Sequence, residues 1–205
     1  MKREEFIRAI EANGHHFGLE LSTETVEKIA SYYELVMAHN PLLHLAAPCS
    51  AEEFAVRHVL ESLMLAENLP QNARFADVGP GAGLPSVPCL IARPDLTGYL
   101  IESKPKKAGF LQTVSAECGI AGRTTIINSQ FSETPRPDVS YVTSRALDRF
   151  QKNLPRLVKW SAGCTLLLFG GKELGDAMRK CGLRITPIHL PLSERRYLFI
   201  SAPYK

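Results

Sequence analysis

The chain has 205 residues, 45% hydrophobic and 22% charged, a balance typical of a globular protein and too apolar for a disordered one. No apolar run approaches the ~18 residues of a membrane-spanning helix, so we expect no membrane association. Five scattered cysteines without a C-x-x-C pair argue against a disulfide framework or a structural zinc site and favour a reducing cytoplasm. The six histidines show no metal-ligand spacing, and we expect no bound metal.

Charge is distributed unevenly along the chain. Residues 1–68 carry 5 basic and 11 acidic side chains, residues 69–142 carry 7 and 6, and residues 143–205 carry 12 and 4. The last third is therefore strongly basic, although the whole chain has a net charge of only +3. Such a distribution is typical of a face that meets a polyanion such as nucleic acid, but it also arises by chance.

The first third of the sequence predicts helices. Ser22 or its neighbour can cap a helix whose apolar positions follow the i, i+3, i+4 rule, with Pro41 just beyond its end. Ser50 stands three residues before Glu53, the capping-box pattern, and predicts another helix that runs to about residue 68. We therefore predict a helical N-terminal extension over residues 1–70.

From residue 73 onward, short β-rich runs alternate with helical stretches. This alternation predicts a mostly parallel sheet covered on both faces, because parallel strands need crossover connections. The last two runs, residues 183–190 and 196–201, lack an intervening helix and predict a C-terminal antiparallel hairpin. We thus predict an α/β, Rossmann-like domain over residues 71–205. Its other strands are expected at residues 74–78, 97–101, 124–127, 140–143 and 165–169, and its helices at residues 84–92, 105–118, 148–160 and 173–181.

The first of these strands ends in a glycine-rich turn, Asp77-Val-Gly79-Pro-Gly81-Ala-Gly83. Glycines at a strand-to-helix turn let a ligand approach the backbone closely at the carboxyl end of the sheet. A dinucleotide fingerprint needs another glycine where Leu84 stands, which disfavours a nicotinamide oxidoreductase. The carboxylate of Asp77 suits a cationic ligand such as S-adenosyl-L-methionine (AdoMet), which carries sulfonium and ammonium groups.

A second acidic residue, Glu102, ends the next strand. A carboxylate at this place can accept hydrogen bonds from both ribose hydroxyls of a nucleoside. Alternatively, Glu102 only caps the helix that follows, and the glycines form an ordinary tight turn. Because the two features lie one strand apart, together they predict a site for a nucleoside ligand.

Four blocks of the sequence combine into a more specific pattern. They are Arg57-His58-x-Leu60-x-Ser62, Asp77-Val-Gly-x-Gly-x-Gly-Leu84-Pro85, Ile101-Glu102-Ser103 with Lys106-Lys107-x-x-Phe110-Leu111, and Ser144-Arg145-Ala146. In order and spacing, over residues 20–203, they resemble the small-subunit rRNA guanine-N7 methyltransferase family known as RsmG or GidB. The glycine turn occurs in many methyltransferases, whereas the first and last blocks are more particular to this family.

The resemblance implies an AdoMet-dependent enzyme that methylates N7 of a guanine in 16S rRNA, as naked RNA or within the small ribosomal subunit. It places Phe131 and Ser132 near the adenine and Arg145 at the mouth of the cofactor site. Arg57 and Lys107 are candidates for contact with the RNA. The cofactor-binding residues that it implies are Gly79, Gly81, Leu84, Glu102, Phe131, Ser132 and Arg145.

The chain departs from the family pattern at several positions. Pro80 stands where the family often has Thr, and Ser132 where an acidic residue is common. The usual Asn-Lys-x-x-Asn-Leu segment reads Asn-Pro-Leu-Leu-His-Leu at residues 40–45, and Phe169 replaces the Lys of a Leu-Lys-Gly element. These departures bear on the rRNA contacts more than on the AdoMet site.

Basic residues recur in two places outside the glycine turn. One group, Lys104, Lys106 and Lys107, begins the helix after Glu102. The second group would form one stripe along a continuous helix, although Pro155 can kink that helix. Such a stripe is either an RNA-binding face or an ordinary solvated face. Its members, spaced by 4, 3, 4 and 3 residues, are Arg145, Arg149, Lys152, Arg156 and Lys159.

We assign no catalytic base, because guanine N7 carries a lone pair and no proton at neutral pH. Proximity, alignment and desolvation are then sufficient for methyl transfer. We expect the protein to be a monomer. Two alternatives stay open: a methyltransferase of the same fold that acts on a small molecule or a protein, and a non-catalytic module that binds AdoMet or RNA.

Overall fold

The computed structural model of the chain describes residues 2–145 and 150–203. The strands are β1 Arg74–Val78, β2 Thr97–Ile101, β3 Thr124–Ile127, β4 Tyr141–Arg145, β5 Thr165–Gly170, β6 Ile185–His189 and β7 Tyr197–Ser201. The helices are α1 Lys2–Asn13, α2 Thr23–Leu43, α3 Ala51–Glu53, a π-helix Phe54–Leu60, α4 Glu61–Glu67, α5 Ser86–Ala92, α6 Pro105–Glu117, α7 Phe150–Trp160 and α8 Lys172–Lys180. Short 3₁₀ turns occupy Gly14–Phe17, Ala121–Arg123 and Phe131–Glu133.

The strands form one seven-stranded sheet in the order β3-β2-β1-β4-β5-β7-β6. Strands β1 to β5 are parallel, and β7 is antiparallel to both of its neighbours. The predicted α/β, Rossmann-like class and the C-terminal hairpin are therefore confirmed. The sequence did not predict that β7 lies inside the sheet and β6 at its edge. Strand β6 suits an edge because it is largely exposed and contains Pro187, which has no N–H for a second ladder.

The order of the strands creates a crevice at the centre of the sheet. From β1 the chain proceeds to β2 and β3 on one side, and it then returns to β4 and β5 on the other. Ligands of open α/β sheets bind outside the carboxyl ends of the strands where the order reverses in this way. Here that place lies between the turn after β1 and the last residue of β4, Arg145.

Helix α2 begins as predicted but ends later. Ser22 caps it, since its hydroxyl accepts a hydrogen bond from the Thr25 N–H at 3.2 Å. The sequence pattern places Pro41 beyond the helix, and this prediction is wrong, because Pro41 lies within its last turn. Two residues later the helix stops, and the next residue, His44, has a left-handed φ of 50°. The Asn40 side chain then bonds the backbone of residues 45 and 46 and so shapes the loop that follows.

The helix predicted after Ser50 is also observed, with an irregularity that the sequence did not reveal. Ser50 caps it by accepting a hydrogen bond from the Glu53 N–H at 3.0 Å. Residues 54–60 are wound as a π-helix before α4 begins at Glu61. Such a segment rotates the side chains that follow it, and π-helical segments are frequent at functional sites.

Hydrophobic clusters cover both faces of the sheet. One includes the N-terminal helices together with α5 and α6, and representative members are Phe6, Tyr32, Phe54, Leu90 and Leu111. The other includes α7 and α8, and representative members are Val142, Leu157, Leu166 and Met178. The division of the chain at residue 70 stays a prediction, because the N-terminal helices share their core with one face of the sheet.

Within residues 2–145 and 150–203, no helix has both the length and the apolar character needed to cross a membrane. The same residues contain no group of three or more His, Cys, Asp or Glu side chains that could hold a metal ion.

Candidate functional site

A cavity of about 550 Å³ opens at the carboxyl ends of β1, β2 and β3. It lies at the edge of the sheet where the sequence places a nucleoside ligand. Basic residues of two helices, among them Lys104 of the α6 N-cap and Arg156 of α7, complete its wall. Five of the seven predicted cofactor-binding residues line it: Gly79, Gly81, Glu102, Phe131 and Ser132.

The turn after β1 has a backbone that only glycine adopts easily. Gly79, Gly81 and Gly83 have φ values of 74°, 55° and 94°, all in the left-handed half of conformational space. A Cβ on Gly83 would lie 2.5 Å from Cγ2 of Val87, so the helix that follows also excludes a side chain there. The turn therefore presents backbone rather than side chains to the cavity. Residues 79–83 are called the glycine loop below.

Glu102 is fixed by two backbone N–H groups from different directions. Its Oε1 accepts a hydrogen bond from the Lys104 N–H at 2.8 Å, and its Oε2 accepts one from the Gly81 N–H at 3.1 Å. Glu102 therefore binds the backbone just before α6, as the capping alternative predicts, and it also binds the backbone of the glycine loop. Each carboxylate oxygen has a further lone pair, so both can still accept a hydrogen bond from a hydroxyl of a ligand. The side chain is therefore fixed beside the glycine loop, and its contact with a ribose stays a prediction.

The far wall of the cavity is the 3₁₀ turn after β3. Phe131 is 8% exposed, and its ring makes a T-shaped contact with the ring of Trp160, with 5.9 Å between centroids. Ser132, the next residue, is exposed. The turn thus combines an apolar ring with an exposed residue that carries a hydroxyl, and the contact of these two residues with an adenine stays a prediction.

Leu84 and Arg145, the other two predicted cofactor-binding residues, line a second cavity. It measures about 290 Å³ and lies between the glycine loop and the N-terminal region. Gly79, Gly81 and Lys107 line both cavities, so the glycine loop separates two adjoining spaces. The contacts of Leu84 and Arg145 with a cofactor stay predictions.

Arg145 does not lie free on the surface. Its guanidinium lies 3.1 Å from the Glu61 carboxylate and donates to the Arg57 carbonyl, and it lies over the Phe169 ring, 5.7 Å from the centroid. Its side chain is 15% exposed. Burial lowers the pKa of Arg145, while the charge of Glu61 opposes this shift.

Glu61 was not identified from the sequence as a site residue, although it lies inside the Arg57 block. It is fully buried, and it also pairs with Arg196 at 2.7 Å. The sequence did contain a signal that could have identified it, namely an acidic residue between Leu60 and Leu63 on the apolar face of a helix. A buried carboxylate of this kind requires a cationic partner, but the sequence does not indicate which cation that is.

Asp77 does not present a charge to the cavity, contrary to the expectation from the sequence. It is fully buried at the end of β1, where its Oδ2 accepts a hydrogen bond from the Ser86 hydroxyl. Burial raises the pKa of Asp77 to about 8, so the side chain is mostly protonated at neutral pH. In this structure Asp77 lines neither of the two cavities, and its bond to Ser86 anchors the start of α5.

The residues predicted to contact RNA have different surroundings. The exposed side chain of Arg57 pairs with Glu53, four residues earlier on the helix. Lys107 reaches from α6 to the end of α2, where its ammonium donates to the His44 carbonyl at 3.3 Å. Both roles in RNA binding stay predictions.

The predicted stripe of five basic residues on one helix is wrong as a continuous feature. Arg145 ends β4, and Arg149 lies outside the described residues. Lys152 and Arg156 do lie on α7, and both line the first cavity. Pro155 lies inside α7, which the structure gives as one helix from residue 150 to residue 160.

Comparison with known proteins finds relatives over most of the chain. Residues 25–180 match the model of the family GidB, described as rRNA small subunit methyltransferase G. Proteins named Ribosomal RNA small subunit methyltransferase G from Sorangium cellulosum and Chromobacterium violaceum are each 34% identical, over 172 and 134 residues. The matches cover 78% and 65% of this chain. They span 72% of the Sorangium protein and 64% of the Chromobacterium protein, slightly less than two thirds of the latter.

A solved structure supports the fold independently of close sequence similarity. A SAM-dependent methyltransferase from Aquifex aeolicus superposes with a TM-score of 0.60 at 13% identity. The superposition covers 83% of this chain and 97% of that one. At this level of identity, the likeness shows a shared methyltransferase fold and nothing about the substrate.

Proposed function

Because the chain belongs to the GidB family, rRNA small subunit methyltransferase G, we propose that it transfers a methyl group from AdoMet to N7 of a guanine in 16S rRNA. The observation that carries the cofactor assignment is Glu102, held beside the glycine loop with lone pairs still available on both oxygens. Gly81, whose N–H it binds, brings bare backbone to the same cavity.

The residues present fit AdoMet along the two adjoining cavities. Glu102 would accept hydrogen bonds from the ribose, and Phe131 and Ser132 would contact the adenine. The glycine loop would lie against the chain that links the ribose to the methionine end, near Leu84. Arg145, a cation in the second cavity, would lie close to the methionine carboxylate or to the substrate.

The reaction needs no proton-transfer residue from this chain. AdoMet supplies a methyl group on a sulfonium, and guanine N7 offers a lone pair without a proton. Two ionisable groups near the glycine loop agree with this: Asp77 is buried and lines neither cavity, and His58 is a weak base, because burial and the neighbouring arginines lower its pKa to about 4. The chain's contribution is then to bind and align the reactants and to exclude water.

Basic side chains around the first cavity support a polyanionic substrate. Lys104, Lys107, Lys152 and Arg156 line it from α6 and α7, and the neighbouring Lys106 is exposed. We assign them to phosphate contacts, which hold an RNA in place without reading its sequence. The proposal includes a cytoplasmic monomer, with residues 1–70 as a helical extension of the methyltransferase domain at residues 71–205.

The test uses AdoMet with a radiolabelled methyl group, together with 30S subunits and naked 16S rRNA from a strain that lacks this enzyme. Label should appear as 7-methylguanosine at one site after nuclease digestion and nucleoside analysis. Glu102→Ala should abolish the label at moderate AdoMet concentrations, whereas the matched control Glu117→Ala, at an exposed position on α6, should retain it.

Other outcomes would select one of the alternatives. Label on a protein or a small molecule, with none on RNA, would indicate a methyltransferase of the same fold with another substrate. AdoMet binding by calorimetry without transfer to any ribosomal substrate would indicate a non-catalytic module. Either result would overturn the proposed reaction.

A further inference from the structure

A buried tyrosine of the N-terminal region contacts the glycine loop directly. Tyr32 lies in the middle of α2 and is fully buried. Its hydroxyl donates a hydrogen bond to the Ala82 carbonyl at 3.0 Å, across 50 residues of sequence. Ala82 stands between Gly81 and Gly83, so the bond ends at the loop that lies between the two cavities.

This hydroxyl remains a donor under all ordinary conditions. Burial raises the pKa of Tyr32 well above its usual value, so the phenol stays protonated. A buried backbone carbonyl that loses its donor pays the cost of desolvation without the compensating hydrogen bond. The loop therefore has a specific energetic reason to keep the conformation in which Ala82 faces Tyr32.

The glycine loop needs such restraints because three of its five residues are glycines, which have the widest choice of backbone conformations. From the side of the sheet, the Gly79 N–H donates to the Ile101 carbonyl at 2.9 Å, and the Gly81 N–H donates to Glu102. From the N-terminal region, Tyr32 binds Ala82. The loop is thus held both by the sheet and by the N-terminal helices.

We propose that Tyr32 is a positioning residue of the cofactor site: its hydroxyl, acting through the Ala82 carbonyl, holds the glycine loop in the conformation that receives AdoMet. The inference rests on the proposed function in taking AdoMet as the ligand. Without the hydroxyl, the loop of the free protein would populate other conformations. The apparent Kd for AdoMet would then rise in inverse proportion to the fraction of molecules whose loop can still bind AdoMet. The N-terminal helices would then contribute to cofactor affinity and not only to stability.

The test compares Tyr32→Phe with Tyr33→Phe, two substitutions that each remove one hydroxyl from neighbouring residues of α2. Tyr33 is a matched control because it is also buried and its ring stacks on Phe6, with 4.4 Å between centroids. By calorimetry, Tyr32→Phe should raise the AdoMet Kd roughly three- to tenfold, the range expected for one net hydrogen bond. Tyr33→Phe should change it less than about twofold.

A second readout separates positioning from a general loss of stability. In the free protein, hydrogen exchange at the Gly83 and Leu84 amides, which bond to the Pro80 carbonyl, should accelerate in Tyr32→Phe and slow again at saturating AdoMet. Exchange in the strands β4 and β5 should change little. Circular dichroism would record the thermal midpoint of each variant.

An unchanged Kd and unchanged exchange in a folded Tyr32→Phe protein would overturn the inference while leaving the proposed function intact. So would equal losses of affinity in the two variants, because the effect would then not depend on the Ala82 contact. Failure of the unsubstituted protein to bind AdoMet would overturn the proposed function and this inference together.

Discussion

The carboxylate of Glu61 lies between the guanidinium groups of Arg145 and Arg196, at 3.1 and 2.7 Å. The three residues come from the start of α4, the end of β4 and the turn before β7. Glu61 is fully buried, so its charge requires both a partner and hydrogen bonds. One carboxylate thereby connects the N-terminal helices to the crevice of the sheet and to the C-terminal hairpin.

Glu61→Gln should destabilise the protein strongly. It removes the negative charge and leaves the buried guanidinium of Arg145 uncompensated, which typically costs about 3–5 kcal/mol. Urea unfolding measures the free energy difference. Glu53→Gln, which breaks the exposed pair with Arg57, is the control and should cost less than about 1 kcal/mol. Similar small decreases in the free energy of unfolding in both variants would show that the buried ion pair stabilises the protein no more than the exposed one.

Asp77→Asn should change how stability depends on pH. Burial raises the pKa of Asp77 from about 4 in an unfolded chain to about 8, so between these values the folded state binds more protons and stability falls as pH rises. His58 acts oppositely: its pKa is lowered to about 4 by burial and by Arg145, so its contribution is present above about pH 6.5 and is lost as pH falls toward 4.

The contribution of His58 is the same in the unsubstituted protein and in Asp77→Asn, so the difference between the two proteins isolates Asp77 in the window from pH 6.5 to 8. The free energy of unfolding should decrease there by at most about 1.4 kcal/mol per pH unit, and the decrease should be much smaller in Asp77→Asn. Asn retains the shape of the protonated acid and an oxygen for the Ser86 hydroxyl. Parallel pH profiles for the two proteins would contradict a protonated Asp77.

Gly83→Ala should remove AdoMet binding and lower stability. The new Cβ would lie 2.5 Å from Val87 and 3.3 Å from Leu111, and a φ of 94° is strained for alanine. Gly109→Ala is the control, because a Cβ there meets nothing within 4 Å in the middle of α6, and it should stabilise the helix by about 0.5–1 kcal/mol. Calorimetry with AdoMet and thermal unfolding would measure both effects. Retained affinity in Gly83→Ala would exclude the loop as a cofactor contact.

Lys152→Glu should weaken RNA binding and reduce its dependence on salt. If Lys152 contacts one phosphate, the slope of log K against log salt should become shallower by about one unit. The control is Lys180→Glu, the same charge reversal at an exposed position on α8. Filter binding of 16S rRNA fragments over a range of salt concentrations provides the slopes. Equal slopes for the two variants would indicate that the net charge, not this surface, determines RNA affinity.

Much of the fold follows from local sequence. β1, β2 and β3 have the predicted bounds, because their apolar runs are short and limited by turn residues. The predictions of secondary structure fail where the local preference of a residue competes with its tertiary contacts. Pro41 remains in the last turn of α2, where it removes the N–H that would bond the Met37 carbonyl, and the helix ends two residues later. Arg145 belongs to a strand although its charge pattern continues into a helix, because pairing with β5 extends to Phe169.

The sequence by itself determined the glycine loop, Glu102 at the end of the next strand and the family to which the chain belongs, since these depend on residue type and spacing. Only the tertiary structure decided that Tyr32 bonds to Ala82, that Glu61 joins two distant arginines and that Asp77 is buried, which raises its pKa. The physical reason is that hydrogen bonding and desolvation depend on which groups are close in space. Those neighbours come from helices and strands far apart along the chain.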